Sequence, residues 1–116
     1  MNYEEITEIT KKYETGRFNN DQMFEIRFGF KYGLSIEQVK LYAKPEFNPY
    51  QMDKIRVGLE DGLSIDQIQV FAEPEFWSMQ MNQMSWGFKS GLYSDLIKIF
   101  AKPEPSIDEM GKSSNC

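Results

Sequence analysis

Carboxylates are the one versatile chemical group this chain carries in quantity: 18 Asp and Glu stand against 13 Lys and Arg, with no His and one Cys, Cys116. Acids brought into pairs exchange protons or hold hard cations, yet no pair of acid, Tyr or Lys is singled out here by spacing. Without His there is no His-based acyl-transfer triad and no ordinary zinc site, and the only thiol sits on a C-terminal tail. The glycines stand singly at helix positions and form no phosphate-cradling loop. The expectation is no catalytic residue, no metal and no cofactor. An enzyme built on carboxylates is an alternative, which would need acids converging in a concave pocket.

The elements that must position these residues repeat. Residues 18 to 104 are three consecutive copies of a 29-residue unit, 18–46, 47–75 and 76–104, without insertion or deletion. Phe18, Phe47 and Phe76 open the copies; Gln22, Gln51 and Gln80 follow at one phase, then Gly29, Gly58 and Gly87, then Gly33, Gly62 and Gly91; an Ala-x-Pro-Glu closes each at Glu46, Glu75 and Glu104. Self-similarity at such a period marks stacked supersecondary units, each unable to bury its apolar face alone.

Each unit reads as a helical hairpin. Asn19 with Gln22, and Asn48-Pro49 with Gln51, are helix-start signals, because Asn accepts from the free N–H groups of the first turn and Gln bonds back. In the third copy Trp77 replaces Asn, which predicts that the cap shifts to Ser78. Apolar residues at 23, 26 and 30, at 52, 55 and 59, and at 81, 84 and 88 share one helical face, and Gly33, Gly62 and Gly91 supply left-handed caps. Ser35 with Gln38, and Ser64 with Gln67, start a second, shorter helix that must stop before Pro45 or Pro74. The predicted hairpin has about thirteen plus nine residues. Tyr3, Ile6, Ile9 and Tyr13 predict a capping helix over residues 3 to 13, with Gly16 as its end. The predicted fold is all-α: a small solenoid in one domain, with an N-terminal cap (1–17), three repeats and a tail (105–116).

Composition bounds the setting. The net charge of −5 repels a phosphate backbone, so nucleic acid is not an expected partner. The second copy is the acidic block, with Lys54 and Arg56 against Asp53, Glu60, Asp61, Asp66, Glu73 and Glu75. The start of the chain has neither a basic stretch nor an apolar run, and no segment is long and apolar enough for a membrane span, which points to a cytoplasmic protein without membrane contact.

Several residues invite a functional reading. Gly29, Gly58 and Gly87 lie inside helices, where glycine costs about 1 kcal/mol relative to alanine, so close packing with a neighbour is the expected reason. Phe28, Val57 and Trp86 share one phase off the core face and would form a ladder across the array, either packed between helices or exposed as a protein-binding stripe. Arg27 and Arg56 share the preceding phase, which Ser85 interrupts. Phe24, Asp53 and Asn82, and likewise Tyr32, Asp61 and Ser90, differ completely between copies, as positions that encode a particular partner would. Glu46, Glu75 and Glu104 are read as structural, placed near the start of the following helix where its dipole favours a carboxylate. The candidate partner-binding set is Phe24, Arg27, Phe28, Arg56, Val57, Glu60, Asp61 and Trp86.

Residues 47 to 64 and 71 to 75, with their Gln-Met-x-x-Ile-Arg-x-Gly-Leu piece, and Tyr-Ala-x-Pro-Glu-Phe at 42 to 47, resemble a short helical repeat of proteins from Firmicutes phages and other mobile genetic elements. The likeness spans residues 18 to 104. The third copy departs from it at Ser85 and at Tyr93-Ser94. Membership implies an accessory protein that binds a host protein, including an inhibitor of a defence effector such as CRISPR. The leading expectation is therefore a non-enzymatic module that binds another protein. Its rival is an acidic nucleic-acid mimic, with Glu60, Asp61, Asp66, Glu73 and Glu75 filling a basic groove.

Overall fold

The computed structural model describes residues 2 to 91, and among them every regular element is a helix. They run in the order α1 (Tyr3–Lys11), α2 (Asn20–Lys31), α3 (Ile36–Lys40), α4 (Pro49–Glu60), α5 (Ile65–Phe71) and α6 (Ser78–Lys89). Helices α1, α2, α4 and α6 lie side by side in chain order, α3 packs under α2, and α5 packs against α4 and α6. No helix among the described residues is long and apolar enough to cross a membrane. The second helix expected in the third sequence copy and the expected tail fall outside the described residues.

Local chemistry explains the boundaries. Asn19 and Asn48 accept from Gln22 N–H and Gln51 N–H at 2.8 Å, while the Gln side chains accept from the Asn N–H groups at the same distance. Ser35 and Ser64 cap α3 and α5 with the same reciprocal pattern. The cap of α6 does not shift to Ser78 as predicted. Trp77 keeps the N-cap position without any side-chain cap bond, because Gln80 Oε1 still accepts from Trp77 N–H at 2.9 Å and half a capping box suffices.

At the other end, Gly33 and Gly62 adopt φ of +95° and +96°, and the turn closes with Leu34 N–H donating to Gly29 O and Leu63 N–H to Gly58 O. A β-carbon is strained in that conformation, which is why glycine ends these helices. The second helices are shorter than the nine residues expected, five in α3 and seven in α5. In the first unit the last turn tightens into three-residue steps, Leu41 to Gln38 O and Tyr42 to Val39 O, before Lys44, the residue ahead of Pro45, must leave the helical region. Helix α1 likewise stops at Lys11 and reaches Gly16 through short turns, so that Tyr13 can set its ring against Phe18 and Phe30 at 6.2 and 6.4 Å.

The expected core face holds. Ile26, Phe30, Met52, Ile55, Leu59, Met81, Met84 and Phe88 are buried, joined by Val39, Tyr42, Ile68 and Phe71 from the short helices. Met23 is the exception, only half-buried. Gly29 and Gly58, inside α2 and α4, sit at close contacts. A β-carbon on Gly29 would stand 2.0 Å from Tyr42 Oη, and one on Gly58 would stand 3.0 Å from Ile68 Cδ1 and 3.3 Å from Ser85 Oγ.

Successive units are also tied through the backbone. Gln22 Nε2 donates to Pro45 O and Phe47 O at 3.2 and 2.7 Å, and Gln51 Nε2 repeats this with Pro74 O and Phe76 O at 3.1 and 2.6 Å. Each Gln therefore closes its own helix and anchors the linker into the next unit. Glu46 and Glu75, read from sequence as dipole partners, are exposed and make no hydrogen bond or ion pair among the described residues.

Candidate protein-binding surface

The outer faces of α2, α4 and α6 carry the candidate residues, and the three helices present them differently. On α2, Phe24, Phe28 and Tyr32 follow at four-residue spacing, so their side chains stand on one line. The Phe24 and Phe28 rings meet edge-to-face with centroids 4.2 Å apart, and Phe28 stacks on Tyr32 at 5.3 Å. Phe24 remains 56% and Tyr32 58% exposed.

The ladder of Phe28, Val57 and Trp86 is not uniform. Phe28 and Val57 are half-buried, whereas Trp86 is 67% exposed. Phe28 is covered from the next helix by Arg56, whose guanidinium carbon lies 5.4 Å from the ring centroid, and from its own helix by Lys31 Nζ at 5.8 Å. Such a cation over a ring face is attracted by the ring quadrupole.

Arg56, also in the candidate partner-binding set, is only 9% exposed. Its Nε donates to Glu25 Oε2 at 3.0 Å, Nη1 to Glu60 Oε2 at 2.7 Å and Nη2 to Asp53 Oδ1 at 2.7 Å. With one bond from each of its three nitrogens and a ring beneath, the guanidinium braces α4 against α2. Burial opposes its charge, but the hydrogen bonds with Glu60 and Glu25 outweigh that and hold its pKa above the ordinary arginine value. Burial pushes the Glu25 carboxyl upward, against the lowering pull of Arg56. Burial also raises the pKa of Tyr42, whose hydroxyl donates to Glu25 O at 2.7 Å.

Arg27 stays exposed, 3.8 Å from Glu14 on the α1 side. Ser85 fills the same phase on α6, where it is buried beside Gly58. Asp61 bonds to Lys89 Nζ of α6, and Glu60 is engaged by Arg56. The acidic block is therefore divided: Glu60 and Asp61 are engaged by cations of their neighbourhood, while Asp66, Glu73 and Glu75 are exposed on α5 and the loop after it.

Sequence reading missed Glu25, Lys89 and Tyr50. For the first two a signal existed, since Glu25 lies 31 residues from Arg56 and Asp61 lies 28 from Lys89, one period plus two and one period minus one. Neighbours across stacked helices fall at such separations. Tyr50 carried no signal, because an exposed and a buried aromatic look alike at a single position. Compared with known proteins, the chain matches no family model, no curated protein and no solved structure.

Proposed function

We propose that the protein is a three-unit α-solenoid that works without catalysis, by binding another protein through the outer face of α2, α4 and α6. The observation that carries this reading is the aromatic surface left in water: the stacked row of Phe24, Phe28 and Tyr32, with Trp86 two helices away. Exposed aromatics grouped on one face are what protein interfaces use as anchors, because large rings bring much area at small entropic loss. The two phases that differ completely between copies, 24, 53 and 82 and 32, 61 and 90, lie on this face, while many of the repeated letters build the frame beneath it. The resemblance of residues 18 to 104 to repeats of phage and mobile-element proteins supports a host or defence protein as the partner.

Affinity capture from the native host lysate tests the reading, with wild type and Trp86→Ala compared side by side. Trp86→Ala is expected to weaken capture by about 2 kcal/mol or more while leaving the melting temperature nearly unchanged, as truncation of an exposed anchor does. Equal capture by a folded Trp86→Ala chain removes Trp86 from the interface, and no retained protein with wild type overturns the reading.

A further inference from the structure

Between the N-terminal halves of α2 and α4 lies a groove of about 400 Å³, among whose lining residues are Asp21, Phe24, Glu25, Tyr50, Asp53 and Lys54. Its rims are aromatic, with Phe24 from one helix and Tyr50, 73% exposed, from the other. Its charge is negative. Asp21, Glu25 and Asp53, with Glu60 beside them on the Arg56 cluster, face two cations, Arg56 and Lys54, which leaves two carboxylates in surplus. Asp21 has no ion pair or hydrogen bond among the described residues, and Asp53, whose Oδ1 accepts from Arg56 at 2.7 Å, is met at the groove by Lys54 only at 3.8 Å.

The same corner shows how this face accommodates a cation. Arg56 lies across an aromatic ring while carboxylates from two helices take its N–H groups. Resting on the protein-binding reading above, we infer that the groove seats a cationic segment of the partner, an exposed stretch bearing arginine or lysine. Its charged ends meet Asp21 and Asp53, and its stems lie over Phe24 and Tyr50. Charge complementarity selects this occupant. An acidic segment would add to the surplus, and an apolar one would strip water from Asp21 and Asp53 without replacing it. Arginine suits both halves of the groove, since the planar guanidinium stacks on rings and is weakly hydrated.

The test titrates the full chain with three fluorescent peptides of equal length, alternating Ser with Arg, with Lys or with Glu, followed by anisotropy at low and physiological salt. The Arg and Lys peptides are expected to bind and the Glu peptide not to. Phe24→Ala, which changes no charge, and Asp21→Asn should each weaken the Arg peptide about 5-fold or more, as loss of a ring anchor or a charge partner does. The triple variant Asp66→Asn/Glu73→Gln/Glu75→Gln removes more charge at exposed sites elsewhere and should change binding less than about 2-fold, because distant exposed charges are screened. The inference is overturned if the Arg peptide does not bind, if the Glu peptide binds as well, or if the triple variant loses as much as Phe24→Ala. A lysate partner that Trp86→Ala releases but Phe24→Ala and Asp21→Asn retain removes the groove and leaves the protein-binding reading standing.

Discussion

The two complete helix pairs, α2–α3 and α4–α5, share a backbone plan and use it for different ends. Both begin with an Asn-Gln box, both end the first helix on a positive-φ glycine, and both send a Gln amide to two linker carbonyls one unit on. They part where side chains meet neighbours or solvent. In the first pair a hydroxyl reaches across the hairpin, Tyr42 to Glu25 O; in the second, Phe71 occupies that phase and packs towards Phe88 at 6.3 Å. The outer face of the first is aromatic, while that of the second offers Asp53, half-buried Val57 and Asp61. A letter recurs where the backbone makes the same demand in each unit, and varies where the surroundings change.

The contrast is sharpest at the interior glycines. Gly29→Ala should destabilise by about 2 to 4 kcal/mol, since the new methyl occupies the place of the Tyr42 hydroxyl and displaces its hydrogen bond. Gly58→Ala meets a side-chain methyl at 3.0 Å that can yield, and the gain in helix propensity offsets part of the crowding, so its net effect should stay within about 1 kcal/mol. Thermal melting of both, with Tyr42→Phe added to Gly29→Ala, checks the comparison. Removing the hydroxyl should recover much of the loss, and equal losses at the two glycines would break the distinction.

The arginine phase gives a smaller difference. Arg56→Ala leaves Glu25 partly buried without its cation and should destabilise by about 1 to 3 kcal/mol, whereas Arg27→Ala, at an exposed 3.8 Å pair, should cost less than about 0.5 kcal/mol. pH adds a signature. The folded-state pKa of Glu25 already lies above its ordinary value through burial, so the fold binds its proton more readily than the unfolded chain does, and this group's contribution declines as pH rises through the carboxylate range. Losing Arg56 raises that pKa further. The stability deficit of Arg56→Ala should therefore be largest near neutral pH and shrink on acidification, read by denaturant melts across that range. A deficit independent of pH would show that Arg56 acts through packing alone.

Much of the frame was legible because it is local. Caps such as Asn19 with Gln22 and Ser64 with Gln67, stops such as Gly33, and the buried phase at 26, 55 and 84 follow from hydrogen bonds and periodicity within a few residues, which sequence spacing records directly. Where local rules erred, as at the cap of α6 and the length of α3, one bond or one tightened turn decided the outcome.

The surface was less legible. Arg27 and Arg56 are the same letter at the same phase, yet one is exposed and the other buried under three carboxylates, because only α4 has a preceding helix that brings Glu25 and Phe28 alongside. Likewise Phe28, Val57 and Trp86 form one row in sequence, yet the first two are half-buried and the third is exposed. The sequence by itself determined the described long helices, most of their caps and most of the residues turned inward, since these depend on short-range geometry that recurs from copy to copy. The tertiary structure alone decided which charges are spent on one another and which aromatic rings stay in water. Both depend on what the adjacent helix contributes across distances of about one period, where the identity of the neighbour, rather than the residue's own place in its unit, sets the energy.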